Sequence, residues 1–245
     1  LSGDDDGELR ELQIFKAFNS ELFTGERVDG LTAVQEMHHA RWPDTMHGEW
    51  AGFYLEFRLS RFLERSGARS PVQFQKVKHR GVFDYDLVFW EDGSIAHYGD
   101  LKASDAGTRE SLGNDAADLE RCLDLYGRFW YVIYEHETWH SRDEGDRAVI
   151  AWNEWRRSVG HMGRKEYDPL SYSRRFKSAV RFTRMIVLEV NDANRHLVLE
   201  PFNQGRQPDG SARAPKVKIA KKNVDNFLLY TEELGSTGPT EGFLR

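Results

Sequence analysis

The spacing of hydrophobic positions changes several times along the chain, and each change marks an element. Over residues 48–65, GEWAGFYLEFRLSRFLER, the apolar residues Trp50, Phe53, Phe57, Leu59, Phe62 and Leu63 recur at helical intervals. Gly67 follows as a stop, so an amphipathic helix is predicted there. Three strand-like runs come next, at residues 72–79, 82–90 and 95–103. Glu91-Asp92-Gly93-Ser94 between the last two is turn chemistry and predicts a hairpin. Beyond Gly107 the helical period returns, with Leu112, Ala116, Leu119, Cys122, Leu123 and Tyr126 on one side and Asn114 or Asp115 near the start. Residues 129–135, FWYVIYE, are aromatic and β-branched, as a buried central strand would be. Residues 148–159 read as a helix, and residues 184–191 and 196–202 as a second hairpin around Asp192-Ala193-Asn194. The order α, β, β, β, α, β, α, β, β predicts an α/β or α+β fold with a central mixed sheet flanked by helices.

Composition narrows the class. Of 245 residues 39% are hydrophobic, enough for a real core, and no repeat or linker divides them, so residues 1–245 are read as one domain. No run reaches the roughly 18–20 apolar residues of a membrane span. The opening LSGDDDGELR is acidic, unlike a signal peptide, and the single Cys122 suits a reducing compartment, so a cytoplasmic protein without a membrane partner is expected. The net charge of −6 hides an uneven distribution. Residues 156–222 carry sixteen Lys and Arg against six Asp and Glu, a balance of +10 that offers a polyanion a basic surface.

Among ten lysines only Lys102 has an acid two positions upstream, in Gly99-Asp100-Leu101-Lys102. That spacing places Asp100 and Lys102 on one strand face and Leu101 on the other. Asp86 interrupts the apolar run of the partner strand fourteen residues earlier. A carboxylate in such a run is costly unless it is paired or holds a metal. Two hard oxygen ligands suit a Mg²⁺-like cation, and an ammonium beside them orients water and offsets charge on a phosphate; Glu56 supplies a further acid.

Glu56 on a helix, FDYDLVF containing Asp86, and YGDLKAS containing Asp100 and Lys102 together resemble the PD-(D/E)xK nuclease superfamily. The resemblance covers residues 48–135 and is greatest to type II restriction endonucleases. It implies a restriction endonuclease-like core, Mg²⁺ held by Asp86, Asp100 and the backbone carbonyl of Leu101, and Lys102 positioning the attacking water. Tyr85 stands where the family has Pro, which leaves Asp84 as a competitor to Asp86, and Glu49 competes with Glu56 for the helix acid. The expected activity is Mg²⁺-dependent, site-specific cleavage of double-stranded DNA by a homodimer. Junction resolvases and repair or phage-defence nucleases of the same superfamily are the alternative. The basic region would wall the DNA cleft, with Arg174, Arg175, Lys177, Asn203, Gln204 and Arg206 as candidate contacts.

Two other readings compete. His136-Glu137-Thr138-Trp139-His140 fits the HExxH signature of zinc proteases, which requires a helix, yet it is fed by a strand-like run and followed by loop composition. A catalytically silent DNA-binding module would use the basic surface without needing Asp86, Asp100 and Lys102. The seven Trp and nine Tyr are scattered and beside apolar neighbours, so they read as core.

Overall fold

The structure is a computed structural model that describes residues 9–22, 25–43, 48–67, 69–75, 83–144, 147–161, 176–198, 206 and 209–235. Its helices are α1 (Arg10–Leu22), α2 (Gly30–His39), α3 (Trp50–Ser66), α4 (Ala116–Tyr126) and α5 (Arg147–Ser158). Its strands are β1 (Val28–Asp29), β2 (Val72–Phe74), β3 (Leu87–Glu91), β4 (Ser94–Asp105), β5 (Glu110–Asp115), β6 (Arg128–His140), β7 (Lys177–Asn191), β8 (Lys216–Ala220) and β9 (Leu228–Glu233). The central sheet runs β1-β7-β6-β4-β3-β2, with β9 also on β7, and β5 and β8 form a separate ribbon. Among the described strands only the β4/β6 pair is parallel; the other pairings are antiparallel. The fold is therefore mixed α/β, a mixed central sheet flanked by helices.

The β3–β4 hairpin forms as expected. Asp92 (φ 49) and Gly93 (φ 81) are both left-handed, the turn whose twist matches two antiparallel strands. α3 ends at Gly67 (φ 85), where the lack of a side chain permits the reversal. β6 is longer than its apolar run and lies between β4 and β7, which explains why Phe129 to Tyr134 are all buried.

Alternation along the strands sorts the core into two layers. On one face Trp130, Val132 and Tyr134 of β6 meet Phe15 and Phe18 of α1, Val34 and Met37 of α2, and Leu55 and Leu59 of α3. On the other, Phe129, Tyr131 and Ile133 meet Leu119, Cys122 and Leu123 of α4, with Val217 and Ile219 of β8.

Several expectations are corrected. Residues 110–115 form a strand rather than the start of a helix, because Gly113 lies flat on Tyr131: a Cβ there would sit 2.6 Å from the phenol oxygen. Residues 196–197 lie in a 3₁₀ turn (Arg195–Leu197) rather than a hairpin strand. There the Asn194 side chain accepts from the Asn191 amide at 2.8 Å and donates to the Glu189 carbonyl at 2.9 Å, taking bonds a strand ladder would use. Residues 199–202 lie outside the described residues, and β7 pairs with β9 instead. The strand expected over residues 82–90 begins only at Leu87, and that over 72–79 is described as strand only through Phe74. α1 and α2 were not anticipated; α2 is capped by Asp29, which accepts from the Thr32 amide at 2.8 Å.

Two histidines are sealed in this core. His97 stacks on Phe89 (centroids 4.2 Å apart, planes 3° apart) with neither ring nitrogen hydrogen-bonded. Burial, reinforced by Arg128, lowers its pKa to about 3. His136 falls to about 4, through burial and then Lys177. Both are neutral in the fold and take up a proton on unfolding below about pH 6.5. Stability is predicted to fall as pH drops from about 6.5 to 4, each histidine adding up to about 1.4 kcal/mol per pH unit. Urea unfolding across that range checks this, and His97→Phe, which keeps the stack, should flatten the slope.

Candidate active site

The candidate site lies where the β3–β4 hairpin comes apart. The two strands pair, through a register shift between Phe89 and Trp90, as far as Leu87 facing Gly99, after which the chain before Leu87 leaves the ladder and β4 continues to Asp105. The Leu101 amide thus loses its strand partner, and the Asp86 carboxylate takes its place, accepting at 3.1 Å. The Asp86 carbonyl is held from the other side by the Gln75 amide at 2.8 Å. Gly99 brings the strands this close, since a Cβ there would meet the Phe89 ring and the Trp130 carbonyl, each at 2.8 Å.

Asp100 is 2% exposed, pairs in register with Tyr131, and is ion-paired to Lys102 on the same strand face. Leu101 packs into the opposite core layer, as alternation requires. Burial first, then the charges of Asp100 and Glu56, push the Asp86 pKa well above the usual carboxylate range, with only partial relief from Lys102. Burial alone would lower the Lys102 pKa; Asp100, Asp86 and Glu56 outweigh it and raise the value, so the group stays an ammonium at neutral pH.

Glu56 comes from the middle of α3 and lines the same pocket as Asp84 and Asp86. Its rival Glu49 precedes α3 and is ion-paired with Lys177 at 2.9 Å. Asp86 is the acid that reaches β4, whereas Asp84 is exposed on the pocket rim. The pocket, of about 400 Å³, also carries Arg41, Trp42, Phe53 and Phe74, which the sequence reading did not single out. For Arg41 and Trp42 the Arg41-Trp42-Pro43 run after the Ala40 cap of α2 is a local signal; Phe53 and Phe74 have none that ties them to it. A larger cleft of about 950 Å³, beside Arg10, Arg69, Trp90 and the β3–β4 turn, holds none of the candidate acids.

The donor set fits a hard cation with few protein ligands. No group of three or more His, Cys, Asp or Glu side chains able to share an ion occurs among the described residues. Asp86 and Asp100 would be its side-chain ligands, joined by the Leu101 carbonyl and water, the sparse coordination Mg²⁺ accepts. Burial and the neighbouring charges of Asp100 and Glu56 disfavour the Asp86 carboxylate and Lys102 relieves this only in part, an imbalance a cation would correct.

Of the candidate DNA contacts, Lys177 is engaged by Glu49, and Arg206 is exposed and donates to the Gly210 carbonyl at 2.9 Å. Arg174, Arg175, Asn203 and Gln204 lie outside the described residues. Arg213 and Lys222 of the basic region are exposed, whereas Arg181 and Arg184 pair with Glu137 and Glu135 across β6 and β7. The HExxH run lies in β6, where four residues span about 13 Å, too far for two histidines to share a zinc ion.

Comparison with protein-family models, curated proteins and solved structures finds no match to this chain.

The raised Asp86 pKa has a stability consequence. A folded-state value above the unfolded one means the charged carboxylate destabilises the fold at neutral pH, and the penalty vanishes as pH falls below the unfolded value. In EDTA, Asp86→Asn, which keeps an acceptor for Leu101, is predicted to raise the unfolding free energy at pH 7.5 and to make a smaller difference at pH 4. Urea titration at the two pH values measures both.

Proposed function

We propose that the chain is a Mg²⁺-dependent endodeoxyribonuclease that cuts double-stranded DNA at a specific sequence, as type II restriction endonucleases do. The observation that carries this reading is the meeting of Asp86, Asp100 and Lys102 at the split hairpin, with Glu56 in electrostatic reach. Mg²⁺ bound there would supply Lewis acidity and lower the pKa of a coordinated water. Asp86 and Asp100 hold the negative charge that binds it, and the split strands fix their separation. Lys102, kept protonated by its acid neighbours, donates from Nζ to the attacking water or the phosphate oxygen and is not the general base. Glu56 accepts from a water on the pocket side. A purely DNA-binding module would gain nothing from a buried acid pair that weakens the fold, which favours the catalytic reading.

The exposed cations of the basic region, Arg206, Arg213 and Lys222, are the described candidates for phosphate contacts. Cutting both strands of a symmetric site is most simply done by a two-fold pair of chains, so the proposal includes a homodimer.

Digestion of phage and plasmid DNA tests the reading. Wild-type protein is predicted to give discrete fragments with Mg²⁺ and none with EDTA, and Asp100→Ala and Lys102→Ala to lose at least 100-fold in rate. A smear would favour a resolvase-like or repair-type relative. Tight binding without cleavage of unmodified, methylated or branched DNA would leave only the binding module.

A further inference from the structure

The pocket beside the acids has a wall that acid chemistry alone does not require. Trp42, Phe53 and Phe74 are half-buried and line it together with Glu56 and Asp86, Phe53 one turn before Glu56 on α3. Trp42 is set by an edge contact with Phe57 (centroids 5.6 Å apart) and a tilted one with Phe74 (5.9 Å), and the residue stays partly exposed. Partly open aromatic rings gathered at one cavity mark a surface for a flat apolar ligand. The backbone adds a second, independent sign. Arg41 ends the last turn of α2 in the left-handed region (φ 56), where glycine is the ordinary occupant, with its amide bonded to the His38 carbonyl at 2.9 Å and the Trp42 amide to the Met37 carbonyl at 2.9 Å. A strained non-glycine residue at a pocket mouth points to a use for its side chain. The Arg41 guanidinium makes no ion pair among the described residues.

Aromatic rings, an arginine and carboxylates lining one pocket together describe a site for a nucleotide: a base to stack, a phosphate to pair with arginine, and ring or amino N–H groups to face carboxylates. At about 400 Å³ the pocket has the scale of a small-molecule site and not of a duplex groove. We propose that it holds a single nucleobase stacked on Trp42, its phosphate reached by Arg41, next to the Asp86–Asp100–Lys102 centre. This rests on the nuclease reading for its preferred source, a base extruded from the DNA strand beside the scissile phosphate; a free mononucleotide has the same chemistry.

The test uses the full chain with Ca²⁺ in place of Mg²⁺ and the four deoxynucleoside 5′-monophosphates as probes, followed by saturation-transfer NMR. At least one is expected to bind with millimolar or tighter affinity, with magnetisation reaching its base protons. Trp42→Ala should weaken binding about tenfold or more, Trp42→Phe by less than about threefold, and Arg69→Ala in the larger cleft not at all. Arg41→Gly gives a readout that a structural role would not: relief of the left-handed strain should raise the melting temperature while nucleotide affinity falls. Displacement of the nucleotide by a duplex oligonucleotide assigns the pocket to the strand, and retention assigns it to the free nucleotide; both keep the site. No binding by wild type, or binding unchanged in Trp42→Ala and Arg41→Gly, overturns it. Plasmid cleavage on the same preparations separates the two ideas: cleavage without nucleotide binding sinks the pocket alone, and nucleotide binding without cleavage sinks the nuclease alone.

Discussion

One hydrogen bond organises the candidate centre: the Leu101 amide donated to the Asp86 carboxylate. A strand that outruns its hairpin partner leaves amides that must find acceptors, and a buried unsatisfied amide costs free energy. Here the acceptor is a side chain of the departing strand. The same bond that repairs the ladder therefore draws Asp86 against Asp100, and the electrostatic tension of the centre follows from a backbone requirement.

The rest of the fold keeps that junction in place. Leu87 and Phe89 anchor the departing strand in the helix-covered core layer, and Gly99 allows β4 to lie close against Phe89 and β6. Tyr131 lies under Asp100 in register, fully buried, with Gly113 of the β5–β8 ribbon resting on its hydroxyl. Glu49, just before α3, is tied to Lys177, and Glu56, in the middle of α3, lines the pocket. Rigid apolar layers on both faces of the sheet hold mutually repelling carboxylates together, and the stability the site lacks is supplied elsewhere.

What could be read in the sequence was what local spacing controls. The α3 stripe, the Asp92-Gly93 turn and the pairing of Asp100 with Lys102 on one face all depend on neighbours within a few residues. The different settings of Glu49 and Glu56 were not local, since Glu49 is tied to Lys177, more than a hundred residues away in sequence. β9, mostly exposed, has no alternating apolar signal and takes its place through pairing with β7, for example the Thr231 hydroxyl donating to the Met185 carbonyl at 3.2 Å. α1 was legible in principle, because Leu12, Phe15 and Phe18 stand at helical spacing and are all buried. The aromatic pocket was not, because Trp42, Phe53 and Phe74 come from three separate segments that only the folded chain brings together.

The central claim is that Asp86 and Asp100 form one divalent-cation site. Titration of the purified chain with Mn²⁺, followed by electron paramagnetic resonance, tests it without reference to any DNA sequence. Saturable binding is expected for wild type, lost in Asp100→Ala and Asp86→Ala, weakened as pH falls and Asp86 takes up a proton, and reversed by excess Mg²⁺. Equal Mn²⁺ binding by wild type and both variants, or none by wild type at millimolar metal, would contradict it.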